Sequence, residues 1–332
     1  MLRYVVHRLL IMVPTLLAIS LITFVIIQLP PGDYLESYVA ELQAQGESIQ
    51  GEKLEYLREV YGLDKPWWQQ YLVWLGGLFR GDFGYSFEYD LPVNAVVGDR
   101  MFLTFVVSFA TILFTWAVSF PIGVYSATHK YTVSDHALTF IGFLGLATPN
   151  FLLALVLLYF ANVVFGTSIG GLMDAKYLDQ PMSWGKFLSV LEHLWVPVIV
   201  IGTSGTAGMI RRLRANLLDE LQKPYVTTAK AKGLHPFKAL LKYPLRMALN
   251  PFIADIGTLL PSVISGAAVV SIVLSLPTTG PMLLRALQTQ DMYLAGSFLM
   301  LLALLTVVGI LLSDLALAVL DPRIRFEGGQ SR

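Results

Sequence analysis

Cysteine is absent from the 332 residues, and only 14% of them are charged. The first absence excludes disulfides, thiolate metal sites and cysteine nucleophiles, and leaves the redox state of the compartment unread. The second, set against 55% apolar residues and a positive mean hydropathy, excludes an ordinary soluble domain, because a soluble fold of this length cannot hide so much apolar surface. A phosphate loop is missing as well: the sole Gly-Lys pair, Gly185-Lys186, is followed by Phe187 where Ser or Thr is needed, so ATP has no such cradle here. The acids lack paired histidines, which leaves neither a metal site nor a catalytic dyad, and no internal repeat is visible.

What is present is a series of long uncharged windows: Leu9–Gly32, Met101–Thr128, Ala137–Met173, His193–Ile210, Ile256–Leu284 and Met292–Ser313. A helix needs roughly 20 apolar residues to cross a hydrocarbon layer of about 30 Å, and each window is solidly apolar without the alternation of a barrel strand. The expectation is six transmembrane helices, the fourth being the shortest, with Pro14, Pro121, Pro149, Pro197 and Pro261 kinking helices that neighbours support. The first window, preceded by Arg3, His7 and Arg8, reads as a retained signal anchor. Six spans put both termini on one side. Most basic residues, Arg211, Arg212, Arg214, Lys230 and Lys232 among them, fall on that side, which predicts cytoplasmic termini.

The segment from Pro30 to about Arg100 is expected to lie outside. It reads as a helical stretch Glu52–Val60, then Tyr61-Gly-Leu-Asp-Lys-Pro66, then a small amphipathic helix with Trp67, Trp68, Tyr71 and Trp74 at helical spacing. That aromatic face suits an interfacial belt or a lid packed on the outer mouth better than a partner contact.

Arg211–Asn250 is basic and still helical in pattern. A first helix continues the fourth span through Leu213, Leu217, Leu218 and Leu221, tolerates Pro224 as a bend, and ends at Lys232 with Gly233 in the left-handed terminating position. His235 caps a second helix with Pro236 in its first turn and an apolar stripe of Phe237, Leu240, Leu241 and Leu245. A short bent pair of this kind is shaped to dock in a groove of another protein. Intramembrane charge is a functional candidate by default, but Glu192, His193, Asp255 and Asp314 all sit near span ends, where snorkelling or capping outweighs proton relay.

Tyr225-Val-Thr-Thr-Ala-Lys-Ala-Lys-Gly-Leu234 resembles the cytoplasmic EAA loop of binding-protein-dependent ABC importer permeases, and most closely the oligopeptide/dipeptide branch. Thr227, Thr228 and Ala229 stand in the triplet positions and Gly233 is the fixed glycine; the acidic residue of the triplet is absent, as is usual in that branch. The resemblance covers nearly the whole chain, through Met1-Leu-Arg-Tyr4, Pro31-Gly-Asp33, Tyr61–Pro66, Gly81-Asp-Phe-Gly-Tyr-Ser86 and Leu320-Asp-Pro-Arg-Ile-Arg325. Departures fall at Phe102, Ser271 and Leu276-Pro-Thr-Thr-Gly280, and bear on cargo more than on mechanism.

The resemblance implies an all-α polytopic protein with the type I ABC importer permease fold in a bacterial or archaeal cytoplasmic membrane. Its parts would be an anchor (1–30), an outer loop (31–100), a five-helix core (101–320) holding the EAA loop (211–250), and a tail (321–332). It implies a permease subunit rather than an enzyme. A second homologous permease subunit, two cytoplasmic ATPase subunits that use ATP and Mg, an extracytoplasmic solute-binding protein and the lipid bilayer are the implied partners; nucleic acid is not. Coupling would fall on Thr227, Thr228, Ala229, Lys230, Lys232, Gly233 and Leu234, with no catalytic, cofactor or metal residue and no substrate residue assigned. Lys230 and Lys232 would pair with the ATPase or with lipid phosphate. Peptides are the first expected cargo, with oligosaccharides or other solutes as the alternative; an ion-coupled secondary transporter is the rival of another class, and a membrane-embedded hydrolase lacks a nucleophile and base.

Overall fold

The computed structural model describes residues 2–29, 39, 55, 59, 64–86, 88–166, 170–177, 180 and 183–320. Readings on 31–33, on most of 52–63 and on 321–332 lie outside these residues. Among the described residues four helices are long and apolar enough to cross a membrane: Val6–Gln28 within α1 (Leu2–Gln28), α3 (Val93–Thr128), α6 (Trp184–Leu221) and Met292–Leu317 within α14 (Met292–Leu320). Of the six expected spans, four are single long helices here, and the third and fifth windows are built from shorter helices. The third window is a pair, α4 (Val133–Ala147) and α5 (Asn150–Phe165), bent by 97° between them. The cause is local: Pro149 has no amide to donate, and its ring forces the preceding Thr148 to φ −81°, ψ 121°, out of the helical region. Pro14, Pro121, Pro197 and Pro261, by contrast, stay inside helices.

The fifth window divides too. It holds α11 (Ile256–Gly266) and α12 (Ala268–Val273), and then a turn with Ser275 at φ 52° ahead of Pro277 and α13 (Thr279–Gln288). Taken alone α11 has 11 residues, but Asp255 before it and Ala267 after it keep right-handed helical dihedrals, so the run from Asn250 through α12 continues as one interrupted helix. The fourth window, the weakest by length, turns out to be the middle of a 38-residue helix, α6. Half of its apolar window is buried, against 22–28% in the other three long helices, so α6 is the most covered by protein of the four, in keeping with its moderate hydropathy.

The chain forms two compact units, both drawing on α3 and α14. In one, Met1–Leu103 with Thr278–Val308, α2 (Trp67–Arg80) lies on α1 through Phe24, Tyr71 and Trp74, the Phe24 and Tyr71 rings edge-on at 5.3 Å. Trp74 Nε1 donates to Ser297 Oγ, which donates to the carbonyl of Phe83 (3.4 and 3.1 Å). The expected aromatic face therefore divides: Tyr71 and Trp74 pack inward, while Trp67 and Trp68 are exposed. A two-stranded hairpin, β1 (Tyr85–Ser86) and β2 (Leu91–Pro92), follows α2 and was not evident in the sequence. The fully buried Asp291 carboxylate holds it, accepting from Ser86 Oγ at 2.6 Å and Glu88 N–H at 3.2 Å while capping α14 through Leu294 N–H. The Gly81–Ser86 motif thus has a structural role: Gly84, at φ 84°, lies where any Cβ would strike the Tyr293 ring.

In the other unit, Thr104–Pro277 with the chain from Gly309, helices approach closely at small residues, as lipid-embedded bundles do when packing replaces the hydrophobic drive. Gly123 of α3 meets Leu213 of α6, and Gly145 and Gly142 of α4 meet Thr203 and Ala207 of α6. Gly257 of α11 and Gly309 of α14 touch backbone to backbone, and Ser313 Oγ lies 2.5 and 2.6 Å from the carbonyls of Ile253 and Ala254.

Candidate functional site

The site grows from the end of α6. Leu213 and Leu217 are fully buried with Ala127, Met209, Ala248 and Phe252, and Leu218, Leu221, Leu240 and Leu245 pack around them. The helix stops at Leu221, Lys223 is extended, and Pro224 opens a new helix, α7 (Pro224–Ala231). Pro224 is therefore a start and not a bend: at N1 its missing amide has no partner to lose. Val226 and Ala229, three residues apart, turn inward at 2% and 6% exposure. Thr227, Thr228 and Lys230 are exposed, as are Lys232 and Gly233; Leu234 is half-buried.

Gly233 ends α7 as the sequence predicts, at φ 78°. Its amide donates to Lys230 O (2.9 Å) and that of Leu234 to Ala229 O (3.3 Å), the paired bonds of a Schellman terminus. These bonds satisfy carbonyls that a helix end would otherwise leave open, and they fix the direction of the turn. The second helix, α8 (Pro236–Lys242), has Pro236 in its first turn, and His235 holds the capping position without a side-chain capping bond. Its expected apolar stripe divides: Ala239 is buried and Leu240 half-buried, whereas Phe237 and Leu241 are exposed. Two short helices, α9 (Pro244–Ala248) and α10 (Asn250–Ala254), return the chain to α11.

Between this elbow and the ends of α3 and α6 lies a groove of about 600 Å³ lined by Leu218, Leu221, Val226, Leu240 and Phe237, with Lys130 and Lys230 at its edge. Tyr225 anchors α7 from outside, its hydroxyl donating to the Glu220 carboxylate. Partial burial pushes the Tyr225 phenol well above its usual pKa, with Glu220 adding to the effect, so the hydroxyl keeps its proton to donate.

Two ion pairs near the elbow escaped the sequence reading. Arg214 of α6 forks onto Asp135 at the start of α4, Nε to Oδ1 at 3.0 Å and Nη2 to Oδ2 at 2.7 Å, while Asp135 also accepts from the amide of Tyr131, a non-glycine residue at φ 64°. Arg212 reaches Asp255 at 2.5 Å, its guanidinium 4.4 Å from the Phe252 ring centre, so Asp255 is paired rather than capping. The available signal was that these acids lie beside windows whose basic flanks share one side. At the far end of α6, buried His193 bonds Ser189 O through Nδ1 (2.8 Å) and faces Asp174 at 3.8 Å. Groups of three or more His, Asp or Glu side chains able to hold a metal do not occur among the described residues.

An elbow of this form, standing on the most enclosed helix of an apolar bundle, is matched in sequence as well. The family profile described as "Binding-protein-dependent transport system inner membrane component" covers residues 119–326, and its N-terminal companion covers 1–110. The chain belongs to this permease family. The permease is similar along its length to the oligopeptide transport system permease protein AppB of Bacillus subtilis, 33% identical over 98% of this chain and 100% of the relative. It is also similar to the dipeptide transport system permease protein DppB of Escherichia coli K12, 30% identical over 98% and 99%. The di/tripeptide permease protein DppB of Pseudomonas aeruginosa matches at 30% over 98% and 100%. The permease is thus an inner-membrane transport component of a binding-protein-dependent system, and the elbow lies within the matched core.

Proposed function

We propose that this permease is one of two homologous subunits forming the translocation path of an ATP-driven importer, that its cargo is peptides, and that the α7–α8 elbow is where a cytoplasmic ATPase subunit engages it. The observation that carries the reading is the construction of the elbow. Thr227, Thr228, Lys230 and Lys232 are exposed on a helix whose other face, Val226 and Ala229, is buried, whose end is closed by the Gly233 terminus, and which is tied to the end of α6 by Tyr225–Glu220. On this reading Thr227, Thr228, Lys230, Lys232 and Leu234 face the partner, Gly233 sets the angle, and Ala229 positions the face from behind. ATP and Mg belong to the ATPase pair, a solute-binding protein delivers cargo at the opposite surface, and both termini lie on the elbow's side, in the cytoplasm.

Force would follow the contacts. Closure of the ATPase pair displaces the elbow; Tyr225–Glu220 and the packing of Val226 and Ala229 transfer that displacement to α6; the Arg214–Asp135 fork passes it to α4, and the Gly123–Leu213 contact to α3. The peptide assignment rests on the names of the similar permeases.

Cysteine cross-linking tests the docking, and the cysteine-free chain needs no prior editing. Thr228→Cys should capture an ATPase subunit and Ala229→Cys should not; capture at neither Thr227, Thr228 nor Lys230 would end the docking reading. Uptake of labelled di- and oligopeptides against labelled oligosaccharides by the assembled transporter tests the cargo. Uptake of oligosaccharide alone would overturn the peptide assignment.

A further inference from the structure

The helix α2 has three faces, and the third is unaccounted for. Tyr71 and Trp74 pack on Phe24, and Gln69, Gln70 and Arg80 lie on a second, mainly polar side whose one large apolar side chain is Val73, 56% exposed. Between them runs a line of large apolar side chains, Trp68, Leu72 and Phe79, which are 48%, 57% and 77% exposed. Four and eleven residues apart from Trp68, they lie within about 40° of one another around a helix of 3.6 residues per turn.

What covers that line is decided by where α2 sits along α1. Its contacts are Ser20 with Tyr71 (2.8 Å), Phe24 with Tyr71 and Trp74, and Gln28 with Gln70 (3.1 Å). All belong to the last nine residues of a span that ends at Gln28. Phe24 lies four residues inside that end, about 6 Å at 1.5 Å per residue. An interfacial helix buries its apolar face about 5–10 Å below the headgroup boundary, and α2 stands at that depth. At the same level α1 itself presents Ile22 and Ile26 outward, 57% and 56% exposed, on the surface of an apolar span. Water is the wrong medium for either set. Tryptophan near one end of α2 and Arg80 at the other are the side chains that anchor a helix at a lipid boundary.

We infer that α2 is a membrane-surface helix, with Trp68, Leu72 and Phe79 inserted among the acyl chains of the leaflet around the Gln28 end of α1 and Arg80 at the headgroups. The Tyr71–Trp74 face clips it to α1, so it braces that span against the leaflet. The inference needs α1 to span the membrane and is independent of the cargo or of docking at the elbow.

Nitroxide accessibility tests it. Single cysteines at Leu72→Cys and Phe79→Cys, with Ile26→Cys as the lipid reference and Gln69→Cys and Arg80→Cys on the polar sector, are spin-labelled in the full chain in phosphatidylethanolamine/phosphatidylglycerol vesicles. At 72 and 79 collisions with oxygen should exceed those with a water-soluble nickel chelate severalfold, as at 26, and the order should invert at 69 and 80. Nickel collisions dominating at 72 and 79 would place the face in water. Low collision rates with both probes would mean that protein covers it. Either result overturns the inference.

Discussion

Replacing Gly233 separates backbone geometry from contact in a single position. Gly233 has φ 78°, and nothing lies within 4 Å of where a Cβ would stand, so a small substituent meets no obstacle in this chain. The cost of Gly233→Ala is therefore conformational, about 1–2 kcal/mol for an L-residue in the left-handed region. That corresponds to about a 5–30-fold increase in opening of the α7 terminus. Asparagine adopts this region more readily than other non-glycine residues, and β-branched residues least readily, so the damage should rank Asn, then Ala, then Val. Hydrogen exchange read on peptides covering 228–236 should follow that order, with the Gly233 and Leu234 amides accelerating together because they share the Schellman bonds. Exchange within α14 should not change. Peptide uptake by the assembled transporter should fall in the same order, with the permease still inserted in the membrane. Should Asn do as much harm as Val, or should Val transport and exchange like the wild type, the left-handed terminus is not what holds the elbow.

Breaking the Arg214–Asp135 fork from one side should be costly, because Asp135 is 1% exposed. Arg214→Leu strands its carboxylate and should lower stability by about 3–5 kcal/mol, with the double variant Asp135→Leu, Arg214→Leu recovering much of the loss in thermal unfolding in nanodiscs. Gly309→Val should fail to yield folded protein by size exclusion, since its side chain would fall on the Gly257 backbone; Gly266→Ala, with open space at its Cβ, should behave as wild type. Reconstituted alone in liposomes, the permease should accumulate no peptide under an imposed ion gradient. Accumulation would revive ion-coupled transport.

Features that need only local chemistry were legible. Gly233 after Lys232 and Pro236 after His235 announce a terminus and a start, because left-handed backbone and a missing amide each select a residue type. Pro224 was misjudged for the same reason it could be noticed: proline marks an interruption, but whether a helix bends through it or begins again depends on Lys223, here extended. Hydropathy found the windows yet could not weigh Thr148-Pro149, where one dipeptide outranks a long apolar run. It also undervalued α6, because a helix half covered by protein has less need of uniform apolarity. Ser86 and Asp291 stand 205 residues apart, and Gly257 and Gly309 are unremarked glycines in two windows; pairings like these exist only once the chain is folded.

The Gly257–Gly309 contact limits how this permease can change shape. With main chain resting on main chain, there is no rotamer to flip and no flexible side chain to take up slack, and Ser313 fastens the carbonyls of Ile253 and Ala254 just beyond. Sliding there would open a void or a clash within a fraction of an ångström. Helix α11 and the last third of α14 must therefore travel as one piece in any transport cycle, and the joints that flex have to be sought elsewhere in the chain.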